Sequence, residues 1–91
     1  MTKLIAGHYY SLIGNYRRAT SSLVKDLSSL EKKVFKCNVA YYTENKIYVN
    51  FEGQRNFSNH IIDGKDTWSI ALYTSGYFKE ILIIKQEELD V

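Results

Sequence analysis

His60 is the residue whose type and sequence neighbours come nearest to catalytic chemistry. Arg55, Asp63 and Lys65 lie within five positions of it. An imidazole that accepts and returns a proton, beside cations that hold phosphate, could cleave RNA on a shallow surface. No spacing among these residues requires that arrangement. Ribonuclease activity is therefore the third of our hypotheses, and we expect that the protein is not an enzyme.

The other reactive residue types are too few for a metal site or a disulfide. His8 and His60 are the two histidines and lie far apart in the sequence. Cys37 is the single cysteine, which rules out an internal disulfide and a cysteine-based metal cluster. Its alternation with Phe35 and Val39 predicts the inward face of a strand, where a thiol acts as a small buried hydrophobe. We expect no metal and no cofactor.

Apolar residues recur in steps of three or four through the first third of the chain, which is the pattern of one helical stripe. The positions are Ile5, Tyr9, Leu12, Tyr16, Ala19, Leu23, Leu27, Leu30 and Val34. The sequence therefore predicts a helical region over about residues 3–35.

A single helix of that length does not fit a domain of this size. About 30 residues of unbroken helix would extend ~45 Å, whereas a compact domain of 91 residues has a diameter of about 30 Å. The helix could break at Thr20-Ser21-Ser22 or at Ser28, because these residue types favour caps. It could instead project and meet a partner. We expect an overlong or kinked helix that takes part in a homodimer.

After residue 34 the apolar period changes to two, which is the pattern of strands. The predicted segments are a hairpin of 35–42 and 47–51 around a turn at 43–45, a strand at 58–62, an Asp63-Gly64 turn, a strand at 67–74, a Ser75-Gly76 hairpin turn and a strand at 77–86. The predicted fold class is α+β. A long or kinked N-terminal helical region packs on a four- to five-stranded antiparallel meander at about 36–86, with an acidic tail at 87–91, in one domain over 1–91.

The alternation also divides the side chains of the sheet between two faces. The face covered by the helix should hold Val39, Ile47, Val49, Phe51, Trp68, Ile70 and Leu72. Tyr42, Tyr48 and Tyr73 should point to the opposite face, and Tyr77 is grouped with them. These four tyrosines and Arg55 are the predicted partner-binding residues, because an amphipathic ring suits a half-wet interface.

One stretch of the sheet, Ile47-Tyr48-Val49-Asn50-Phe51, loosely resembles the first strand motif of an RNA-recognition domain. In that family a helix follows the strand and a second aromatic strand comes about thirty residues later. Here 46 residues precede the motif and strands follow it, so the family is rejected. What remains is a weaker expectation that exposed tyrosines near Arg55 and Lys46 could stack bases.

A second candidate surface is the polar side of the predicted helix. Arg17, Arg18, Lys25, Lys32 and Lys33 would form a basic ridge there, and they are the predicted nucleic-acid contacts under the alternative hypothesis. The net charge of +2 is too small to be a nucleic-acid signature by itself.

The composition is that of an ordinary soluble domain. Hydrophobic residues at 45% and charged residues at 24% argue against disorder and against a membrane span. The first residues lack a signal-peptide core, so we expect a cytoplasmic protein.

The leading hypothesis is a small non-catalytic binding protein that acts through protein–protein interaction and is homodimeric. Small proteins without a chemical motif often act as inhibitors, antitoxins, immunity proteins or phage-type modulators. The alternative is RNA or DNA binding through the basic helix and the exposed tyrosines.

Overall fold

The protein is an antiparallel β-sheet of six strands in a computed structural model that describes residues 3–54 and 60–82. The strands are β1 (Tyr9–Leu12), β2 (Phe35–Tyr42), β3 (Lys46–Phe51), β4 (His60–Ile62), β5 (Lys65–Ala71) and β6 (Phe78–Ile81). One α-helix, α1 (Ser21–Leu27), continues into the 3₁₀ segment Ser28–Leu30. Two further 3₁₀ segments span Gly14–Arg18 and Leu72–Tyr77.

The order of the strands across the sheet is β4-β5-β3-β2-β1-β6, and each pair of neighbours is antiparallel. The predicted meander is therefore wrong. β1, the first strand in the chain, lies between β2 and β6. The predicted hairpin turn at Ser75-Gly76 is wrong as well, because β6 pairs with β1 and not with β5. The 3₁₀ segment Leu72–Tyr77 instead carries the chain from β5 to the far edge of the sheet.

The predicted helical region over 3–35 is the main error. Residues 9–12 form β1, which pairs on both sides, and α1 is seven residues long. Gly7 has a φ of 91°, which an α-helix does not accommodate, and paired tyrosines favour a strand over a helix. Part of the apolar stripe reaches one core from a strand, a 3₁₀ segment and a short helix in succession: Leu12, Tyr16, Leu23, Leu27 and Leu30. Ile5 and Val34 are exposed instead, and Tyr9 shares a face with Lys36.

The helix begins at one of the two predicted break positions. Thr20 is the N-cap of α1, and its side-chain Oγ1 accepts a hydrogen bond from the Leu23 N–H at 3.4 Å. At the other end, the Ser28 hydroxyl donates to the Lys25 carbonyl at 2.6 Å, a local bond that competes with helix continuation. Because no long helix exists in the described chain, the mismatch of lengths that favoured a projecting helix and a homodimer no longer applies.

The core lies between one face of the sheet, called the inner face here, and the helical segments. Its buried members are Leu4, Tyr10, Tyr16, Leu27, Leu30, Phe35, Cys37, Ile47, Val49, Phe51, Ile70 and Phe78. Three phenylalanines, Phe35, Phe51 and Phe78, meet at ring-centroid distances of 5.0–5.9 Å. Such contacts add to the free energy gained by burying the rings.

The core assignment was correct for most strand residues, and the exception has a local cause. Ile47, Val49 and Phe51 are buried on the inner face as predicted. Val39 is buried too, but it lies opposite Asn50 on the other face. The register shifts between Cys37 and Val39, and a bulge of this kind inverts the alternation beyond it.

The local hairpin signals were read correctly. β2 and β3 flank the predicted turn at 43–45. Asp63 and Gly64 connect β4 and β5 with φ values of 54° and 74°, which is the geometry of a two-residue hairpin turn with positive φ at both positions. The end of the predicted strand at 77–86 and the predicted acidic tail at 87–91 lie outside the described residues.

In the described residues, no helix is both long and apolar enough to span a bilayer.

Candidate functional site

The face of the sheet opposite the core, called the outer face here, carries the candidate site. Cross-strand pairs identify its members, because directly opposed residues share a face. On this face the pairs are Tyr9 with Lys36, Tyr9 with Ile81, Ser11 with Lys79, Val39 with Asn50, Tyr41 with Tyr48, Lys46 with Ala71, Tyr48 with Ser69, His60 with Thr67, and Ile62 with Lys65.

Three aromatic rings form a continuous row across the outer face. The ring centroids of Tyr41 and Tyr48 are 6.2 Å apart, and those of Tyr48 and His60 are 4.9 Å apart in an edge-to-face arrangement. Tyr41 is 49% exposed and the His60 residue is exposed, whereas Tyr48 between them is half-buried. We call Tyr41, Tyr48 and His60 the ring row.

Small side chains on β5 allow the ring row to cross that strand. Tyr48 is on β3 and His60 on β4, and β5 lies between them. Opposite these two rings, β5 places Ser69 and Thr67 on the outer face. Thr67 is fully buried, and its hydroxyl donates to the His60 carbonyl at 3.1 Å. A large residue at either β5 position would occupy the space in which the rings meet.

Two asparagines brace the outer face beside the ring row. The Asn38 side-chain amide donates to Asn50 Oδ1 at 3.0 Å, and the Asn50 amide donates to the Asp66 carbonyl at 2.6 Å. This chain of hydrogen bonds links β2, β3 and β5. These bonds fix the orientation of both amides beside the ring row.

The charged side chains of the strands are segregated between the two faces. In the strands of the described chain, the outer-face charges are all lysines: Lys36, Lys46, Lys65 and Lys79. The carboxylates of these strands, Asp66 and Glu80, are paired with Ile61 and Tyr10 on the inner face. Lys46, Lys65 and Lys79 are exposed and Lys36 is half-buried. Other carboxylates near the sheet lie in its turns, at Glu44, Glu52 and Asp63. The Glu52 N–H donates to the Lys36 carbonyl at 2.9 Å, so Glu52 lies next to Lys36 at the end of β3.

The inner-face carboxylate of β6 has a partner. Glu80 Oε2 lies 3.2 Å from His8 Nδ1, and both side chains are partly exposed. Glu80 therefore does not offset the outer-face lysines directly, because the sheet separates them.

The predicted tyrosine surface is only partly assembled. Tyr48 lies on the outer face, but Tyr42 lies on the inner face opposite Ile47, because the bulge in β2 inverts the alternation. The Tyr42 hydroxyl accepts a hydrogen bond from the Leu4 N–H at 2.7 Å, and the Lys3 ammonium lies 5.6 Å from the ring centroid. Burial raises the pKa of Tyr42 above its ordinary value, although the bond from Leu4 lowers it.

Tyr73 and Tyr77 lie away from the outer face. They belong to the 3₁₀ segment Leu72–Tyr77, where their ring centroids are 6.2 Å apart. Tyr73 is 53% exposed and lines a cleft of about 200 Å³ between α1 and β5, together with Trp68 and Asp26. Arg55 is outside the described residues.

The predicted basic ridge is dispersed over several elements. Arg17 and Arg18 lie in the 3₁₀ segment Gly14–Arg18, and Lys25 lies in α1. Lys32, with a φ of 61°, and Lys33 lie in the connection to β2. Arg17 is also engaged, because it pairs with the Glu31 carboxylate and lies 5.4 Å from the Tyr16 ring centroid.

Cys37 is not an activated nucleophile. Burial raises the pKa of the Cys37 thiol to about 12, and the thiol donates to the Val39 carbonyl at 3.2 Å. A thiol in this state is protonated near neutral pH and unreactive. No cluster of three or more histidine, cysteine, aspartate or glutamate side chains suited to a metal ion occurs in residues 3–54 and 60–82.

Comparisons with known proteins add no further constraint. No protein-family model, no curated protein and no solved structure matches this chain.

Sequence reasoning missed three contributors to this face: Tyr41, Lys36 and Lys79. Two-residue alternation continued through β2 without a bulge places Tyr42 on the outer face, whereas the bulge brings Tyr41 there. Lys36 and Lys79 join the site only because β1 lies between β2 and β6, and no local pattern shows that order. The signal available from sequence was the two-residue spacing of Lys46 and Tyr48 in β3, which puts both side chains on one face.

Proposed function

We propose that this protein is a non-catalytic nucleic-acid-binding protein that works through the outer face of its sheet. The observation that carries the proposal is the segregation of charge. In the described strands, the outer face has lysines and no carboxylate, whereas the carboxylates lie on the inner face.

Segregated charge matters more here than net charge. A formal net charge of +2 gives little overall attraction for a polyanion, but binding depends on the cations that reach its phosphates. Exposed lysines on one flat face can contact several phosphates of one strand at once. The inner-face carboxylates are on the opposite side of the sheet, so they oppose this attraction weakly.

The proposed nucleic-acid contacts are the outer-face lysines and not the cations of the predicted basic helix. Lys25 and Lys33 belong to different elements on the helical side, and Arg17 already has a carboxylate partner. These residues lack the common plane that the outer-face lysines share.

A protein partner is the second candidate, and apolar side chains at the two edges of the sheet favour it. Ile61 on β4 is 70% exposed, and Leu82, directly after β6, is 85% exposed. Edge strands with exposed apolar residues are common sites of association. This candidate predicts binding through the edges and not through the lysines of the outer face.

The test measures the anisotropy of a fluorescein-labelled 20-nucleotide DNA strand titrated with the protein at 25 mM and 200 mM NaCl. We expect binding at low salt that weakens as salt rises. The double variant Lys46→Gln/Lys65→Gln should bind several-fold more weakly. The matched control, Lys25→Gln/Lys33→Gln, removes the same charge from the helical side and should bind as the parent does.

Two results would overturn the proposal. Absence of binding at 25 mM NaCl would remove nucleic acid as the partner and leave the protein-partner candidate. An equal loss in the control variant would show that attraction depends on net charge and not on the outer face.

A further inference from the structure

We infer that the outer face takes unpaired bases, so that the nucleic acid it binds is single-stranded. This inference rests on the proposed function, but a different observation carries it. The lysines attract phosphates of any strand, whereas the ring row offers surfaces that only an unstacked base can use.

The ring row is well placed for stacking. It spans β2 to β4 over the outer face, and its end members, Tyr41 and His60, are exposed. Every base has a π-face, so an exposed aromatic ring can stack any of them. In a duplex those faces are already stacked on neighbouring bases, which leaves the rings without a partner.

The lysines lie close enough to the ring row for one strand to use both. Lys46 is two residues before Tyr48 on the same face of β3, and Lys65 is two residues before Thr67, which lies opposite His60. Successive same-face residues of a strand are about 7 Å apart. Phosphates held by the lysines would therefore leave their bases within reach of the rings.

The rings and the lysines of the outer face recognise features that all nucleotides share. Every base has a π-face that can stack, and phosphate contacts carry no sequence information. The amides of Asn38 and Asn50 are oriented by bonds to each other and to the Asp66 carbonyl. We therefore expect binding that tolerates different sequences.

The experiment compares three labelled probes in 50 mM NaCl: a 12-nucleotide thymidine strand, a 12-nucleotide strand of mixed sequence, and a blunt 12-base-pair duplex. The two single strands should bind within a few-fold of each other, and both should bind at least about tenfold more tightly than the duplex. Tyr41→Ala should weaken binding of the single strands by about tenfold, because stacking contributes roughly 1–3 kcal/mol per base, and leave duplex binding unchanged.

Two control variants distinguish a loss of stacking from misfolding and from a general effect of removing a tyrosine. Tyr41→Phe keeps the ring and should bind as the parent does. Tyr73→Ala removes an equally exposed tyrosine that is not on the outer face, and it should have no effect. Tyr41 is half-exposed, so its truncation leaves the core intact, which circular dichroism would verify.

The stacking inference and the proposed function are contradicted by different results. Duplex binding as tight as single-strand binding, or an unchanged affinity in Tyr41→Ala, would overturn the stacking inference while leaving a lysine-based nucleic-acid interface. Failure of all three probes to bind would remove the proposed function itself.

Discussion

Two buried tyrosines should respond in opposite ways to loss of their hydroxyl groups. Tyr10 is fully buried, and its hydroxyl accepts from the Ile5 N–H at 2.8 Å and donates to the Lys3 carbonyl at 3.3 Å. Tyr16 is 2% exposed, and its hydroxyl oxygen is buried with no hydrogen-bond partner among residues 3–54 and 60–82. Replacing each by phenylalanine removes one oxygen and changes little else.

The expected free energies follow from the partners. Tyr10→Phe leaves the Ile5 N–H without its acceptor, and an orphaned, partly buried donor costs about 1–3 kcal/mol. Ile5 is 41% exposed, so water can partly replace the lost bond and about 1.5 kcal/mol is expected. For a chain of this length that corresponds to a fall in melting temperature of about 6–12 °C. Tyr16→Phe removes a desolvated group that has no bond to lose, so its stability should be unchanged or higher.

The assay is thermal and urea unfolding followed by circular dichroism on the parent and both variants. Each variant serves as the matched control for the other, because ring, volume and burial are shared. The reasoning fails if Tyr16→Phe loses as much stability as Tyr10→Phe, since the Tyr16 hydroxyl would then have a partner. It also fails if Tyr10→Phe is neutral, since the hydroxyl bonds to residues 3 and 5 would then not anchor the N-terminal segment.

Four further predictions concern the interface, the thiol and a turn. If each of the four outer-face lysines neutralises one phosphate, the logarithm of single-strand affinity should fall against the logarithm of salt concentration with a slope of about −3. Affinity should then fall about 50-fold between 50 and 200 mM salt, and Lys79→Gln should reduce the slope by about 0.7. An affinity that does not change with salt would contradict the proposed interface. Because the folded pKa of Cys37 is about 12 against an ordinary 9.0, the folded state holds its proton longer, so stability should fall as pH rises from 9 towards 12, and less steeply in Cys37→Ala. The same burial should make native Cys37 react with a thiol reagent only as fast as the protein opens, and a rapid native reaction at pH 8 would show that the thiol is accessible. Gly64→Ala should cost about 1 kcal/mol in urea unfolding because Gly64 has a φ of 74°, whereas Gly14→Ala, at ordinary φ and with open space around it, should be neutral or stabilising.

The parts of the fold that the sequence predicted are those set by near neighbours. The β2–β3 hairpin follows from two-residue alternation on both sides of a polar turn, and the β4–β5 turn follows from the conformational freedom of Asp63-Gly64. Thr20 was identified as a place where a helix would begin or break, because its hydroxyl can cap free N–H groups. Each of these signals involves residues a few positions apart.

The errors come from interactions between distant residues. A four-residue segment such as β1 is stable as a strand only when its neighbours are present, and here Tyr9 is paired with Lys36 on one side and Ile81 on the other. Tyr9 and Tyr10 favour a strand locally, but the same four residues also satisfy the helical spacing, and the distant partners decide between the two. The bulge of β2 likewise cannot be recognised in the alternation of residues 35–42, yet it decides which of Tyr41 and Tyr42 joins the candidate site.

The central place of β1 has a consequence for how the protein is made. During synthesis, residues 9–12 can pair with β2 once residue 36 has emerged, but their second partner, β6, comes more than forty residues later. Until then one edge of β1 has no strand beside it, and Phe78 is missing from the core. A nascent chain can therefore form unwanted strand pairs at this edge until β6, the last strand of the described chain, covers it.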